Sequence, residues 1–312
     1  MTAERIIITG GAGLVGQNLA VRLAGSGLGC VTAIDKHKAN TATLASLQPG
    51  MTVIHADLAE RGEWESAFTQ GGLLVLGHAQ IGGEDESAFI RNNITATENV
   101  LRAAREGGVE YIVHISSSVV NSRAHDYYTE TKKAQEALVA ACGIPHVVLR
   151  PTLMFGLFDR KHLGWLARFM QRVPVFPIPG DGRYRRQPLY AGDFCDIIIA
   201  CMRQRVAGSA YNISGREVVD YVDLIRAIRQ ATGAKTPIVH IPYGVFWLLL
   251  RMYAVVDRNP PFTTRQLAAL VIPELFEIID WPEIFGVRAT PLAEALREAF
   301  TAKPYCDVVL EF

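Results

Sequence analysis

Short runs of β-branched and aliphatic residues alternate with longer segments of helical periodicity in the first half of the chain. The short runs predict strands at residues 6–9, 30–35, 52–56, 73–76, 111–116 and 146–150, and the longer segments predict helices near 14–25, 60–70, 86–106 and 127–142. Repeated strand–helix units of this kind form a mainly parallel sheet with helices on both faces. We therefore predict an α/β fold built on a Rossmann-like, doubly wound parallel sheet.

The pattern changes after residue 150. A passage rich in proline and glycine at 173–182 leads into the basic residues Arg183, Arg185 and Arg186, and helical segments then mix with short strands. Residues 1–150 are predicted to form the doubly wound core. Residues 151–312 are predicted to form mainly a smaller mixed α/β lobe, with some segments returning to the core.

Composition argues against several classes of protein. The 312 residues include 31 lysines and arginines and 31 aspartates and glutamates, so the positive surplus that nucleic-acid binding normally requires is missing. The five cysteines are scattered, without a Cys-x-x-Cys pair, which argues against a disulfide framework and a cysteine zinc site. The eight histidines lack the spacing of metal ligands, and the Gly-x-Ser-x-Gly motif of a hydrolase is missing. We expect no nucleic-acid partner and no metal.

One apolar run stands out at residues 244–256. It is interrupted by Arg251 and is too short to span a bilayer, which needs about 20 apolar residues. We interpret the run as a buried helix in preference to a shallow interfacial helix. At the N-terminus the chain passes directly into the first predicted strand, without the apolar segment of a signal peptide. These features predict a cytoplasmic protein with no stable membrane insertion.

A glycine-rich loop, GGAGLVG at residues 10–16, follows the first predicted strand and opens a predicted helix. Such glycines let the backbone turn tightly and approach a pyrophosphate, which binds the N–H groups at the start of the helix. Asp35 ends the second strand 19 positions after Gly16, where a carboxylate accepts the ribose hydroxyls and repels a 2′-phosphate. We therefore predict NAD rather than NADP as the cofactor, although the adjacent cations Lys36 and Lys38 could bind a phosphate. The alternative is a structural glycine turn with a solvated carboxylate.

Further motifs follow the glycine loop in order. They are Asp57-Leu58, Leu76-Gly77-His78-Ala79, Asn92-Asn93-Ile94-Thr95-Ala96-Thr97, three serines at 116–118, Tyr128-x-x-x-Lys132 and Leu149-Arg150-Pro151. With the loop, these motifs resemble the extended short-chain dehydrogenase/reductase superfamily, and within it the NAD-dependent nucleotide-sugar epimerase/dehydratase family, over residues 5–230. The resemblance implies an NAD-binding core at 1–150 and a mainly substrate-binding lobe at 151–312. The implied cofactor contacts are Gly10, Gly13, Leu14, Val15, Gly16, Asp35, Asp57, Leu58, His78, Ala79, Asn93, Tyr128, Lys132 and Pro151.

Tyr128 and Lys132 lie four residues apart and therefore share one face of a helix. A free phenol has a pKa of about 10 and is a poor base at neutral pH, but a nearby ammonium and the positive charge of oxidised nicotinamide favour the phenolate. Tyr128 then takes the proton from a substrate hydroxyl while hydride passes to the nicotinamide. Ser117 stands where the family places a Ser or Thr that binds the same substrate oxygen, and Ser118 is the alternative. The non-catalytic interpretation is a half-buried tyrosine beside a solvated lysine.

The sequence departs from the family pattern beside the substrate. Val120-Asn121-Ser122 replaces the usual Val-Tyr-Gly, and only 11 positions separate Ser117 from Tyr128, where extended members have a longer loop. Arg186 stands seven positions before Asp193 and matches the family arginine that binds the diphosphate of a nucleotide sugar. A solvated turn is the alternative interpretation of this arginine. The resemblance thus implies substrate contacts at Ser117, Ser118 and Arg186.

The activity implied by the resemblance is that of an NAD-dependent nucleotide-sugar epimerase, which removes and returns a hydride at a sugar carbon. Relatives pair through the long helices near 86–106 and 127–142, which implies a homodimer. The alternative is a net NAD-dependent dehydrogenase or reductase of a sugar, steroid-like or aldehyde substrate. A third class, a non-catalytic NAD-binding sensor or assembly protein, has no need of the intact Ser117, Tyr128 and Lys132. A dehydratase is disfavoured, since Ser118 and Val119 stand where family dehydratases carry an Asp-Glu pair.

Overall fold

The computed structural model describes residues 4–123, 125–256 and 262–311, so the first three residues, on which the targeting expectation partly rests, lie outside it. The described strands are β1 (Arg5–Thr9), β2 (Cys30–Asp35), β3 (Thr52–His55), β4 (Gly72–Leu76), β5 (Val109–Ile115), β6 (His146–Pro151), β7 (Met154–Phe155), β8 (Phe176–Pro179), β9 (Arg185–Arg186), β10 (Leu189–Tyr190), β11 (Ala210–Ile213), β12 (Val219–Asp220) and β13 (Ile238–Ile241). The described α-helices are α1 (Leu14–Ala24), α2 (Lys38–Leu47), α3 (Glu86–Phe89), α4 (Ala96–Gly107), α5 (Tyr127–Ala141), α6 (Leu163–Arg172), α7 (Ala191–Gln204), α8 (Tyr221–Thr232), α9 (Tyr243–Val256), α10 (Thr264–Leu270), α11 (Trp281–Phe285) and α12 (Leu292–Thr301). Short 3₁₀ helices lie at Glu63–Phe68, Ser118–Asn121 and Tyr305–Asp307, and a π-helical turn lies at Ile90–Thr95.

Seven of the described strands form one parallel sheet in the order β3-β2-β1-β4-β5-β6-β11. The chain builds β1 to β3 in one direction and then crosses back to place β4 on the other side of β1. Where the winding direction switches in this way, a crevice opens at the carboxyl ends of the strands, and ligands bind there. The predicted doubly wound α/β fold is confirmed, and the six predicted strands are present with ends within two residues of the predicted ones.

The sheet has an apolar layer on each face because successive side chains of a strand point to opposite sides. On one face, the fully buried Ile6 and Ile8 pack with α1 and α7. On the other face, Ile7 packs with α4 and with the 3₁₀ helix at Glu63–Phe68. Each buried isoleucine contributes about 1.5–3 kcal/mol relative to an exposed one. Since α7 and β11 come from the second half of the chain, both halves contribute to one core.

The rest of the second half forms a smaller apolar cluster. Helices α6, α8 and α12 pack around the short strand pairs β8–β13 and β9–β12. The rings of Tyr184 and Tyr221 stack within it, with their centroids 5.0 Å apart. The assignment of this lobe to substrate binding stays a prediction.

Several helical predictions need correction. The segment near 60–70 forms only a 3₁₀ helix, and the predicted helix at 86–106 is divided into α3, the π-helical turn and α4. The π-helical turn accommodates Asn93, whose buried side chain bonds to groups outside its own helix. Helix α2 is missed by the periodicity, because its asparagine and threonines have low helix propensity.

Helix α9 contradicts our preferred interpretation of the apolar run. Instead of being buried, it is exposed along most of its length, and only Phe246 and Leu250 are half-buried among its described side chains. The ring of Phe246 contacts that of Phe262 beside α10. The helix follows the two-stranded β8–β13 pair, which is too small to cover it. Within the described part of the chain, no helix combines the length and apolar character needed to cross a membrane.

Candidate active site

The glycine loop runs from the end of β1 to the start of α1. Gly10 has a φ of +69°, and a Cβ there would lie 2.8 Å from the backbone nitrogen of His78. A Cβ on Gly16 would lie 2.4 Å from the carbonyl oxygen of Gly11, so the helix packs directly on the loop. These contacts are why the loop needs glycine at both positions.

Gly13 faces a different environment from the other two glycines. A Cβ there would meet only the carbonyl oxygen of Gly10, at 3.4 Å, so that side of the loop is open. Gly13 is the N-cap of α1 and supplies no side chain to the N–H groups of the first turn, which Leu14 and Val15 begin. An open cradle at a helix N-terminus fits a pyrophosphate. The geometry supports the cofactor role predicted for this loop.

Asp35 is held against the same loop. Its Oδ2 accepts the N–H of Ala12 at 3.1 Å, and its Oδ1 accepts the N–H of His37 at 2.9 Å. A carboxylate oxygen has two lone pairs, so each oxygen can still accept a ribose hydroxyl. His37, between Lys36 and Lys38, caps α2 by accepting the N–H of Asn40. This placement favours NAD over NADP.

Asp57 and Leu58, two of the predicted cofactor contacts, follow β3. Asp57 accepts a hydrogen bond from Arg91 at 2.6 Å and from the N–H of Ala59 at 2.9 Å. Burial acts to raise the pKa of Asp57, but the hydrogen bonds from Arg91 and Ala59 outweigh it and the pKa is lowered. Leu58 is buried, and its carbonyl accepts the side-chain amide of Asn99 at 3.1 Å. Arg91 was not among the predicted site residues, although it adjoins the Asn92-Asn93 motif.

Lys132 is the most unusual charged group of the site, because only 1% of it is exposed. Its Nζ donates to the carbonyl of Ile115 at 2.9 Å and to Oε1 of Gln135 at 2.7 Å. Burial lowers the pKa of Lys132 to about 7, and the charge of Glu136 opposes that shift. The sequence places Lys132 correctly on α5 but does not reveal that it is buried.

A chain of buried polar groups connects Lys132 to the glycine-loop end of the sheet. Gln135 Nε2 donates to Oγ1 of Thr97 at 2.8 Å, and Thr97 Oγ1 lies 3.2 Å from Nε2 of His78. His78 Nδ1 lies 2.9 Å from Oγ1 of Thr9, at the end of β1. Burial, and to a smaller extent the charge of Lys132, lowers the pKa of His78 to about 3, so this imidazole is neutral. Gln135 was not predicted; a glutamine three residues after the lysine, on the same helix face, is the signal that could have found it.

Tyr128 lies in the first turn of α5, which begins at Tyr127 and is capped by Asp126. The Ser117 side chain lies close enough to the phenol of Tyr128 to affect its pKa. Burial raises the pKa of Tyr128, and the neighbouring Ser117 side chain acts in the opposite direction. The acidified phenol that we expect from the Lys132 charge is therefore not seen in this structure, where the ammonium group bonds elsewhere.

Ser117 also has a structural role in the turn that follows β5. It caps the 3₁₀ helix at Ser118–Asn121, and its Oγ accepts the N–H of Val119 at 3.4 Å. Ser118 begins that helix and is half-buried. The effect of Ser117, and not of Ser118, on the pKa of Tyr128 favours Ser117 as the serine of the site.

Asn93 and Pro151 occupy positions beside this centre. Asn93 is fully buried, accepts the N–H of Gln80 at 2.6 Å and donates to Oγ1 of Thr131 at 2.9 Å. It thereby ties the segment containing Ala79 to α5. Pro151 ends β6 in register with Ile213 of β11. The cofactor contacts predicted for Ala79, Asn93 and Pro151 stay predictions.

The shortened loop is anchored mainly through Glu136, a residue that the sequence did not single out. Glu136 on α5 accepts Nε of Arg150 at 2.9 Å and Nη2 at 2.6 Å, and it also accepts the hydroxyl of Ser116. Asn121, which stands in the place of the family tyrosine, donates to Oδ1 of Asn212 on β11 at 2.8 Å. These bonds hold the turn after Ser117 against the sheet edge.

Arg186 lies in β9 with its guanidinium engaged by the protein backbone. It donates to the carbonyl of Ile272 at 2.8 Å and to that of Leu270, and it lies over the ring of Tyr184. Asp193 lies seven residues after Arg186 and served to identify that arginine in the sequence. Its carboxylate does not contact Arg186 but accepts hydrogen bonds from the backbone N–H and the hydroxyl of Thr290. The predicted role of Arg186 as a diphosphate ligand stays a prediction, and it requires some of these donors to be shared with or released to the substrate.

Three comparisons with known proteins bear on this site. A family model described as the NAD dependent epimerase/dehydratase family matches residues 6–214 of the chain. The UDP-N-acetyl-alpha-D-glucosaminuronate decarboxylase of Bacillus cytotoxicus is 25% identical over 270 residues, which cover 77% of this chain and 84% of that protein. The 3 beta-hydroxysteroid dehydrogenase/Delta 5-->4-isomerase of Mycobacterium tuberculosis is 25% identical over 270 residues, which cover 76% of this chain and 72% of that protein.

A solved structure has the same architecture. The UDP-glucuronic acid 4-epimerase of Bacillus cereus, in complex with NAD, matches with a TM-score of 0.72 at 21% identity, over 95% of this chain and 97% of that chain. At this identity the likeness establishes the fold, and the substrate has to be argued from the residues of the site.

Proposed function

Since the chain belongs to the NAD-dependent epimerase/dehydratase family, we propose that it is an epimerase that acts on a nucleotide sugar. The family is NAD-dependent, and the cofactor of this protein is NAD, as the glycine loop and Asp35 predict. The observation that carries the proposal is the fully buried Lys132 one helical turn after Tyr128 on α5, together with a Ser117 side chain that acts on the pKa of the same phenol. We propose a homodimer paired through α4 and α5.

The glycine loop and Asp35 would hold NAD, which would supply the hydride acceptor and donor for one sugar carbon. The Oη of Tyr128 takes the proton from the hydroxyl on that carbon, and the same oxygen gives a proton back when the hydroxyl re-forms. The Oγ of Ser117 donates a hydrogen bond to the substrate oxygen as its charge changes. The cycle leaves no net oxidation.

In this structure burial raises the pKa of Tyr128, and we propose that Lys132 supports the phenolate form once NAD and substrate are bound. A positive charge beside a phenol lowers its pKa, and Lys132 is one turn away on α5. With a pKa of about 7, the ammonium is present in about half of the molecules at neutral pH and in most of them below it. The carbonyl of Ile115 and the amide of Gln135 fix its position.

A net dehydrogenase acting on an alcohol without a diphosphate is the second candidate. It is favoured by the backbone bonds that engage Arg186 and by the short loop between Ser117 and Tyr128. The 3 beta-hydroxysteroid dehydrogenase/Delta 5-->4-isomerase of Mycobacterium tuberculosis, a relative of this chain, is named for a dehydrogenase activity of this kind. The same Ser117, Tyr128 and Lys132 would carry out the oxidation half of the cycle.

Cofactor retention and product analysis separate the two candidates. The purified protein is denatured to release its nucleotide, and the intact protein is incubated with UDP-glucose, UDP-glucuronic acid and UDP-N-acetylglucosamine. We expect about one NAD per chain, a stereoisomer of one sugar in the products, and no accumulation of NADH at 340 nm. Steady NADH formation with added NAD would support the dehydrogenase. If the protein forms no NADH and no stereoisomer with any of the sugars, the proposed epimerase activity on these nucleotides is refuted.

A further inference from the structure

Helix α9 exposes apolar side chains around its circumference. Leu248 is 54% exposed, Met252 61% and Val255 85%. Of the twenty large apolar residues that are exposed in the described structure, eight lie on this single helix of 14 residues. A soluble monomer rarely leaves such a contiguous apolar surface in water unless the surface binds something.

The shape and composition of α9 indicate what covers it. Among the residues of the helix, Arg251 is the only charged one. A helix that packs on a protein surface usually has one apolar face toward the protein and one polar face toward solvent, and α9 lacks the polar face. A helix that is apolar on all sides is at home in a continuous apolar medium. At 14 residues it is about 21 Å long, which is less than the hydrocarbon thickness of about 30 Å, so it would lie within the surface of a bilayer.

Aromatic residues of α9 fit the same location. Tyr243, Trp247 and Tyr253 combine an apolar ring with a polar atom, as side chains at the headgroup level of membranes do. The guanidinium of Arg251 lies over the ring of Trp247, 5.1 Å from its centroid. A long basic side chain in this position keeps its charge at the polar boundary while its stem stays in apolar surroundings.

The charge around α9 distinguishes an anionic lipid surface from a second copy of the chain. Arg251 lies on α9 itself, and Arg265 lies on the adjacent α10, which is preceded by the Phe262 that contacts Phe246 of α9. Arg226 pairs with Asp223, but no described carboxylate lies within ion-pair distance of Arg229, Lys235, Arg251 or Arg265. Two copies of a basic surface repel each other, whereas anionic lipids attract it.

We propose that α9 docks the protein on the surface of an anionic lipid bilayer. The apolar side chains of the helix enter the boundary between headgroups and acyl chains, and the basic residues around it contact the lipid phosphates. The docking is peripheral and reversible, because the helix does not cross the membrane. This inference does not depend on which sugar or alcohol the active site takes.

Vesicle flotation tests the proposal. Wild-type protein is mixed with vesicles of phosphatidylcholine, or of phosphatidylcholine with a quarter of phosphatidylglycerol, at low and at physiological salt. We expect at least tenfold stronger binding to the anionic vesicles, weakened by salt. The double variant Leu248→Glu/Met252→Glu should bind at least tenfold more weakly than wild type. The variant Val309→Glu is the matched control, since it adds a charge at an exposed apolar residue far along the chain and should bind like wild type.

The other results overturn the proposal. Equal binding to neutral and anionic vesicles would remove the role of the basic residues, and unchanged binding of the double variant would remove the role of α9. Failure to bind either vesicle, together with a dimer in light scattering that the double variant dissociates, would assign the surface to a second copy. If each variant unfolds at the same urea concentration as the wild type, loss of folding is excluded as the cause of weaker binding.

Discussion

Replacing Lys132 with methionine tests the electrostatics of the buried site. Burial lowers the pKa of the lysine from 10.5 to about 7 in the folded protein. Between those two values the unfolded chain binds more protons than the folded one, so the free energy of unfolding of the wild type rises as pH increases. Below pH 7 the full destabilisation is present, and above about pH 10.5 it has gone. Methionine has similar length and no titratable group.

The linkage relation gives the expected size of the effect. Burial of Lys132 lowers the free energy of unfolding by about 4 kcal/mol at pH 7 and by about 2 kcal/mol at pH 9. Between pH 7 and pH 9, the free energy of unfolding of the wild type should therefore rise by about 2 kcal/mol relative to that of Lys132→Met. The variant also leaves the Ile115 carbonyl and the Gln135 amide oxygen without their donor, at about 1–3 kcal/mol each. That loss is the same at both pH values and cancels in the comparison.

Urea unfolding followed by tryptophan fluorescence, at pH 7 and at pH 9, measures this difference. Lys133→Met is the matched control, because Lys133 is only half-buried and pairs with Glu130, whose side chain is 51% exposed. The control should change the free energy of unfolding by less than about 0.5 kcal/mol at either pH. If the gap between Lys132→Met and wild type is the same at pH 7 and pH 9, the lysine is not held at a lowered pKa and the reasoning fails.

Three further substitutions test other parts of the site. Asp35→Ala should remove most of the preference for NAD over NADP, measured as the ratio of the two dissociation constants, because the carboxylate no longer accepts the ribose hydroxyls; an unchanged ratio would contradict that role. Gly10→Ala should lower the free energy of unfolding by about 1–3 kcal/mol more than Gly27→Ala, since both glycines have a φ near +68° but only at Gly10 does a Cβ collide with backbone atoms; equal losses in chemical denaturation would refute the collision. Arg186→Ala should raise the KM for a UDP-sugar about tenfold or more with little change in kcat, and an unaltered KM would favour a substrate without a diphosphate.

The sheet could be predicted from the sequence because its signals are local. The run 73–76 is continuously apolar, the run 111–115 is apolar except for His114, and the glycine loop fixes where the first helix starts. The spacing of Tyr128 and Lys132 likewise follows from a single helix. These features need no knowledge of how distant segments pack.

The remaining features depend on contacts between distant segments. The burial of Lys132 results from the packing of α5 on β5, and its bond to Ile115 joins residues 17 positions apart. The bonds of Arg186 to Leu270 and Ile272 join β9 to a segment more than 80 positions later. The apolar composition of α9 predicts a helix, but its exposure depends on which elements the lobe provides to cover it. Periodicity carries no information on any of these points.

The central claim is that Tyr128 exchanges the proton of the reacting hydroxyl while bound NAD exchanges the hydride. The most direct test is a single-turnover experiment with NAD-loaded protein and the UDP-sugar that it converts, in which absorbance at 340 nm reports the transient reduction. Tyr127→Phe, a change at the exposed neighbouring tyrosine, is the control. We predict that Tyr128→Phe keeps its NAD and slows the transient by about 10²-fold or more, while Tyr127→Phe reacts at the wild-type rate. A Tyr128→Phe transient within a few fold of wild type would contradict the account.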